Sequence, residues 1–115
     1  MKRIPKVVRD YVYKRDRGRC RICQRKISLE EAHIHHIYHR NAYIPDKFGI
    51  PPTKHNNHPH NLILTCPECH GDLHSGKELP RYTREVLIKW NQEMEFIYPF
   101  PKELIKWLKD NEVRR

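Results

Sequence analysis

The sequence has no run of about 18 apolar residues, so it offers no transmembrane helix and no membrane partner is expected. It has no continuous apolar stretch behind its basic start, MKRIPKVVRDYVYKRDRGRC, so nothing there reads as a secretory signal peptide. It has no internal repeat. At 115 residues it also lacks the area for a large core, and 37% hydrophobic residues stand against 32% charged ones. A chain this small and polar commonly needs a staple such as a structural metal. Cysteine is scarce too, with four in all. Without an export signal the expected compartment is a reducing cytoplasm, where cysteines serve as metal ligands more readily than as disulfides.

Acidic residues are nearly absent from one end. Residues 1–26 hold eleven Lys/Arg against Asp10 and Asp16, whereas residues 27–115 hold twelve basic and twelve acidic residues. The whole net charge of +9 therefore resides in the first quarter of the chain. Such asymmetry suits a polyanion, most simply nucleic acid, with Lys14, Arg15 and Arg17 as the expected phosphate contacts.

The pattern along the chain predicts one domain. Residues 5–17 should form a helix with Val8, Tyr11 and Val12 as its apolar stripe and Gly18 as its stop. CRICQRKI is a tight cysteine turn, and the β-branched, His-rich EAHIHHIYH is a strand. Residues 39–60 contain four prolines and no helical period, which predicts a long loop of the kind that is usually functional or disordered. NLILT is a second short strand, and PECHGDLHSG a short helix. RYTREVLIKWNQEMEFIY should be amphipathic, with Val86, Trp90, Met94 and Ile97 along one stripe, and KELIKWLKDNEV a last helix. Trp90 and Trp107 suit the core better than a base-stacking platform.

TCPECHGDLH, residues 65–74, holds two cysteines and two histidines in nine positions. A zinc finger built on two cysteines and two histidines would separate its pairs by roughly a dozen residues. On a helix beginning near Glu68, Cys69 and His70 point about 100° apart. His70 and His74, spaced i and i+4, share a face. The cysteines and histidines therefore belong to two sites. Cys20-x2-Cys23 and Cys66-x2-Cys69, forty-two residues apart, supply four thiolates, the donor set of a closed, structural tetrahedral Zn²⁺. His70 and His74 need an upstream partner, with His33, His35, His36 and His39 available. His39, His55, His58 and His60 lie in the loop and read more simply as exposed or packed residues, His60 beside Asn61 being the strongest exception.

With RDYVYKRDRGRCRIC, EAHIHHI and NLILTCPECHGDLH in view, the chain resembles the HNH endonuclease family over roughly residues 9–76. Its Asn61-x8-His70-x3-His74 spacing is similar to that of colicin-type nucleases, and a paired CxxC zinc site is a common embellishment of the family. The resemblance implies a small α+β fold: a ββα-metal (His-Me finger) core stapled by a four-cysteine structural zinc, with a flanking N-terminal helix and a helical tail over residues 80–115. It implies that His35, His70 and His74 bind a catalytic divalent ion (Mg²⁺, Mn²⁺, Ni²⁺ or Zn²⁺). His36 would be the general base, and Asn61 would orient loop and base. The implied activity is hydrolysis of double-stranded DNA, as in phage, mobile-element or restriction nucleases, with a larger phage or restriction assembly as a further partner. Nothing in the sequence looks like a recognition helix with base-reading residues, so low sequence specificity is expected. On an ideal strand His35 and His36 face opposite ways. The strand must therefore bend or end there, or a shifted register makes His33 a ligand. A non-catalytic zinc-stapled nucleic-acid-binding module and an RNA-directed nuclease are the alternatives.

Overall fold

Helix α1, Lys6–Arg15, forms as its apolar spacing requires, and Val8, Tyr11 and Val12 are buried along it. It ends two residues earlier than the sequence suggests, because Arg17 and Gly18 both turn left-handed (φ 58° and 65°) and Gly18 N–H returns to the Tyr13 carbonyl at 3.0 Å. Gly18 is needed for space as well as for its φ: a Cβ there would lie 2.9 Å from Tyr13 Oη. This computed structural model describes residues 4–77 and 79–113. The first three residues of the basic segment and the last two of the expected tail lie outside them.

The chain next makes a small hairpin, closed by the Arg19–Lys26 bridge and by Cys20 N–H on the Arg25 carbonyl at 2.9 Å, with Gln24 at φ 67° making the turn. Strand β1, His33–His36, then pairs antiparallel with β2, Leu62–Thr65, in the register His33–Thr65, Ile34–Leu64, His35–Ile63 and His36–Leu62. Opposed residues share a face. Leu62 and Leu64 join Val8, Tyr11, Val12, Ile27 and Leu104 in one core, while Ile63 joins Ile37, Leu87 and Ile88 in another. The two-stranded sheet is thus covered on both faces, and all four residues of β2 are buried.

Helix α2, Pro67–His74, follows β2 directly, with Cys66 as its N-cap and Pro67 in its first position. Helices α3, Arg84–Ile97, and α4, Lys102–Asp110, complete a small α+β chain of the ββα-metal type. The expected stripe on α3 is out of phase. Val86 is 50% and Ile97 71% exposed, while Leu87, Ile88 and Asn91 are buried. A polar residue sets that phase: Asn91 Nδ2 donates to the carbonyls of His60 (2.9 Å) and Leu62 (3.0 Å), and its Oδ1 accepts from Arg21 Nη1 at 2.6 Å. Trp90 is partly buried, and the Arg21 guanidinium lies over it, 3.5 Å from the ring centroid. Trp107 is half-buried against the first core.

The 39–60 segment contains short 3-10 turns at Asp46–Phe48, Lys54–Asn56 and Pro59–Asn61. Side-chain amides hold it. Asn56 Nδ2 donates to the carbonyls of His39 (2.8 Å) and Ala42 (2.7 Å). Residues beyond α4 clip its far side, through Lys54 N–H to Asn111 O at 3.0 Å and Val113 N–H to Pro52 O at 2.9 Å. Among the described residues no helix is long and apolar enough to cross a membrane.

Candidate metal centres

Helix α2 begins on a strand end that is buried and paired, so its first residues have little freedom. Cys66 occupies the N-cap and its Sγ accepts the Cys69 N–H at 3.5 Å. Cys20 and Cys23 come from the hairpin opposite. The four Sγ atoms lie within 4.8 Å of one another, and Cys23 Sγ is 3.8 Å from Cys66 Sγ. A tetrahedral site with metal–sulfur bonds of about 2.3 Å requires edges of about 3.8 Å. The donor set and its spacing fit zinc. Burial, and then the thiols of Cys66 and Cys20, push the Cys69 thiol far above its ordinary range. Such crowding disfavours several thiolates unless a cation sits among them.

One helical turn on, the side chains point elsewhere. His70 and His74 meet at 2.9 Å between their Nε2 atoms, and one ring nitrogen each of His35, His70 and His74 falls within 4.8 Å. Two nitrogens held about 2.05 Å from one ion at a right angle would lie about 2.9 Å apart. Burial first, then the neighbouring histidines, push His35 and His70 down to about 4. Both are neutral near pH 7, the state in which imidazole binds a metal. His33 is not in this trio. It shares the face of His35, but its Nδ1 lies 3.1 Å from Nδ1 of His70, behind the ligand.

His36 faces the other way, as the pleat dictates, and β1 ends at that residue. It still borders the trio: a positive charge on it lowers the proton affinity of both His35 and His70. Its Nε2 meets Asn57 Oδ1 at 2.8 Å, and burial, the dominant influence, lowers its own pKa while Asn57 opposes the shift. Asn61 is fully buried. Its Oδ1 accepts from Tyr38 N–H at 2.8 Å, its Nδ2 donates to the carbonyls of Tyr38 and Asn56 at 3.0 Å, and its own carbonyl receives Ile37 N–H at 2.8 Å. It fastens the segment after β1 to the turn before β2.

The remaining expectations divide. Lys14 and Arg17 are exposed. Arg15 is not: it is 2% exposed, and its guanidinium is spent on Asp16 and the carbonyls of Pro59 and Leu62, so it cannot grip phosphate. An arginine on the inner face of an amphipathic helix follows the apolar stripe inward. His60 does not join the trio either; its Nε2 pairs with Glu95 at 2.7 Å. Other candidates escape a reading of spacing alone. Arg84, at the start of α3, stacks on Tyr38 at 4.7 Å and lies close enough to His35 to lower its proton affinity. Asn57 is anonymous within KHNNHPHN, and only its approach to His36 distinguishes it.

A two-stranded antiparallel sheet and a following helix, with one histidine on the first strand meeting two on the helix, give the layout of a ββα-metal fold. Residues 20–76 match the model of the HNH endonuclease family, so the chain carries an HNH endonuclease domain. No curated protein and no solved structure matches the chain.

Proposed function

We propose that the protein is a metal-dependent endonuclease that hydrolyses phosphodiester bonds of double-stranded DNA with little sequence preference, and that residues 1–115 act as one domain around a core of about 9–76. The observation that carries the reading is the meeting of His35, His70 and His74 within 4.8 Å beside a fourth histidine, His36, that is not part of the trio. That division provides an ion site and a separate base.

His35, His70 and His74 would hold the divalent ion as neutral ligands, leaving its charge unspent. When bound, the ion supplies electrostatic stabilisation to the phosphate oxygens in the transition state. His36 takes a proton from the attacking water at its ring nitrogen remote from Asn57. The water oxygen bonds to phosphorus as the P–O3′ bond breaks, and the departing O3′ takes a proton from solvent water, giving 5′-phosphate and 3′-hydroxyl ends. Asn61 keeps the end of β1 and the following loop in register for this. Zinc held by Cys20, Cys23, Cys66 and Cys69 would pin the 19–26 hairpin to α2, and so steady the helix that carries two of the three histidines. Lys14 and Arg17 are available to the phosphate backbone, with Arg84 close to His35.

The test is incubation of supercoiled plasmid with the purified protein after EDTA treatment and after adding back Mg²⁺, Mn²⁺, Ni²⁺ or Zn²⁺. Cleavage that EDTA abolishes and one of these ions restores supports the reading. Tight DNA binding without cleavage in any of the four ions overturns it.

A further inference from the structure

The chain between the strands holds Asn57 against His36 with more structure than a surface loop requires. Asn57 is 6% exposed, and its Oδ1 lies 2.8 Å from His36 Nε2. The two residues before it are both left-handed without being glycine: His55 at φ 58° and Asn56 at φ 53°. Consecutive residues in that region are sparsely populated and persist only where the surroundings over-determine them, which is commonest at functional sites. Here the surroundings are explicit. Asn56 Nδ2 is tied to the carbonyls of His39 and Ala42, just beyond β1, and the Asn56 carbonyl receives Asn61 Nδ2 at 3.0 Å. Asn57 N–H turns back to the Lys54 carbonyl at 3.4 Å. Two asparagines, Asn56 and Asn61, thus bolt down the backbone from which a third reaches the histidine.

A side-chain carbonyl oxygen only accepts, so the hydrogen between the two groups belongs to His36 Nε2. Neutral imidazole carries one N–H, which leaves Nδ1 bare. Were the amide turned over, its NH2 would donate, the hydrogen would sit on Nδ1, and that nitrogen could accept no proton from water. Resting on the endonuclease reading above, we propose that Asn57 is the positioning residue for His36: it fixes the ring's orientation and its Nε2–H tautomer, so that Nδ1 is the nitrogen that takes the proton.

The variants are Asn57→Leu, which keeps the volume and removes the acceptor, and Asn57→Asp, which keeps an acceptor oxygen. The zinc-loaded, full-length protein is used throughout. Long-range ¹H–¹⁵N NMR of the histidine rings should show His36 as Nε2–H in the parent and a tautomer mixture in Asn57→Leu. With the activating divalent ion present, Asn57→Leu should lose roughly 10–100-fold in kcat, the range seen when a metal-ligating histidine loses its orienting partner and applied here to a base histidine, with KM and metal content unchanged. Asn57→Asp should stay within a few-fold of the parent. In a His36→Ala background, Asn57→Leu should cost nothing further, because the residue acts through His36. A parent His36 protonated on Nδ1, an unchanged tautomer in Asn57→Leu, or parental cleavage by Asn57→Leu overturns the proposal. Should Asn57→Leu fail to fold, the parent tautomer and the Asn57→Asp rate still decide it. A parent that shows the Nε2–H tautomer yet never cuts DNA removes the endonuclease reading and leaves the positioning intact.

Discussion

Arg15 and Asp16 are consecutive in the chain, wholly enclosed, and paired in a fork, with Nε to Oδ1 at 2.9 Å and Nη2 to Oδ2 at 3.1 Å. From that pair Arg15 reaches the carbonyls of Pro59 (2.8 Å) and Leu62 (2.6 Å), and Asp16 Oδ2 accepts Leu64 N–H at 2.9 Å. Together they hold β2 and the turn before it against the end of α1.

Charge removal should therefore give two different results on neighbouring residues. Arg15→Ala takes the forked partner from a buried carboxylate, leaving it only Arg21 at 3.5 Å and the Leu64 N–H, and strips the Pro59 carbonyl of its donor; it should cost about 3 kcal/mol of stability. Lys14→Gln combined with Arg17→Gln should leave the melting temperature unchanged and weaken DNA binding at all sequences alike, lowering the slope of log affinity against log salt by roughly two. Calorimetry and salt-titrated binding check the pair. A salt slope unmoved by the double variant would exclude these side chains as phosphate contacts.

Opening the thiol cluster should cost the fold. Cys66 is both donor and helix cap, so Cys66→Ser should lose zinc and lower the melting temperature sharply, while His74→Ala, at an exposed position, should melt like the parent and bind the second metal more weakly. Metal analysis with thermal unfolding decides this. Parental zinc content and melting in Cys66→Ser would refute a structural role.

Base and ion should separate by mutation. His36→Ala should keep both metals and near-parental DNA affinity but lose about 10²–10⁴-fold in cleavage, the usual worth of a positioned base. His70→Ala should lose ion and activity together. Cleavage at the parental rate by both variants would contradict the assignment.

Acid should loosen the protein through His58. This ring is 4% exposed, and burial first, then His60 and Arg15, push its pKa down to about 3. In the unfolded chain it titrates near pH 6.5. Between about pH 3 and 6.5 the unfolded state binds more protons, so this contribution is complete above 6.5 and falls as the pH drops, by up to about 1.4 kcal/mol per unit. His58 Nδ1 also accepts His60 N–H at 3.1 Å, so protonation there breaks a turn. His58→Asn keeps an acceptor that does not titrate. Its melting temperature should fall less than the parent's between about pH 6.5 and 5, and equal slopes would refute the effect.

The features legible in the sequence are those with short, regular spacing. The α1 stripe, the two strands and the i, i+4 histidines follow from local geometry, and so does the divergence of Cys69 from His70. The phase of α3 is illegible because one of its two fully buried residues is Asn91, whose burial depends on the carbonyls of His60 and Leu62, far away in the chain. Arg15 misleads for the same reason: a charge carries no mark of the backbone groups that will enclose it. Asn57 reaches His36 only through the left-handed turn at His55 and Asn56, a conformation that neither residue type dictates.

Because Cys69 and His70 are consecutive on α2, the two centres are locked in angular phase. One residue inserted between them would turn both histidines about 100° away from His35 without deleting a single ligand. Seven inserted residues would bring the face back to within about 20° but carry it about 10 Å along the axis. The site is thus written in residue count as firmly as in residue identity, and length change within CPECHGDLH is as damaging as substitution.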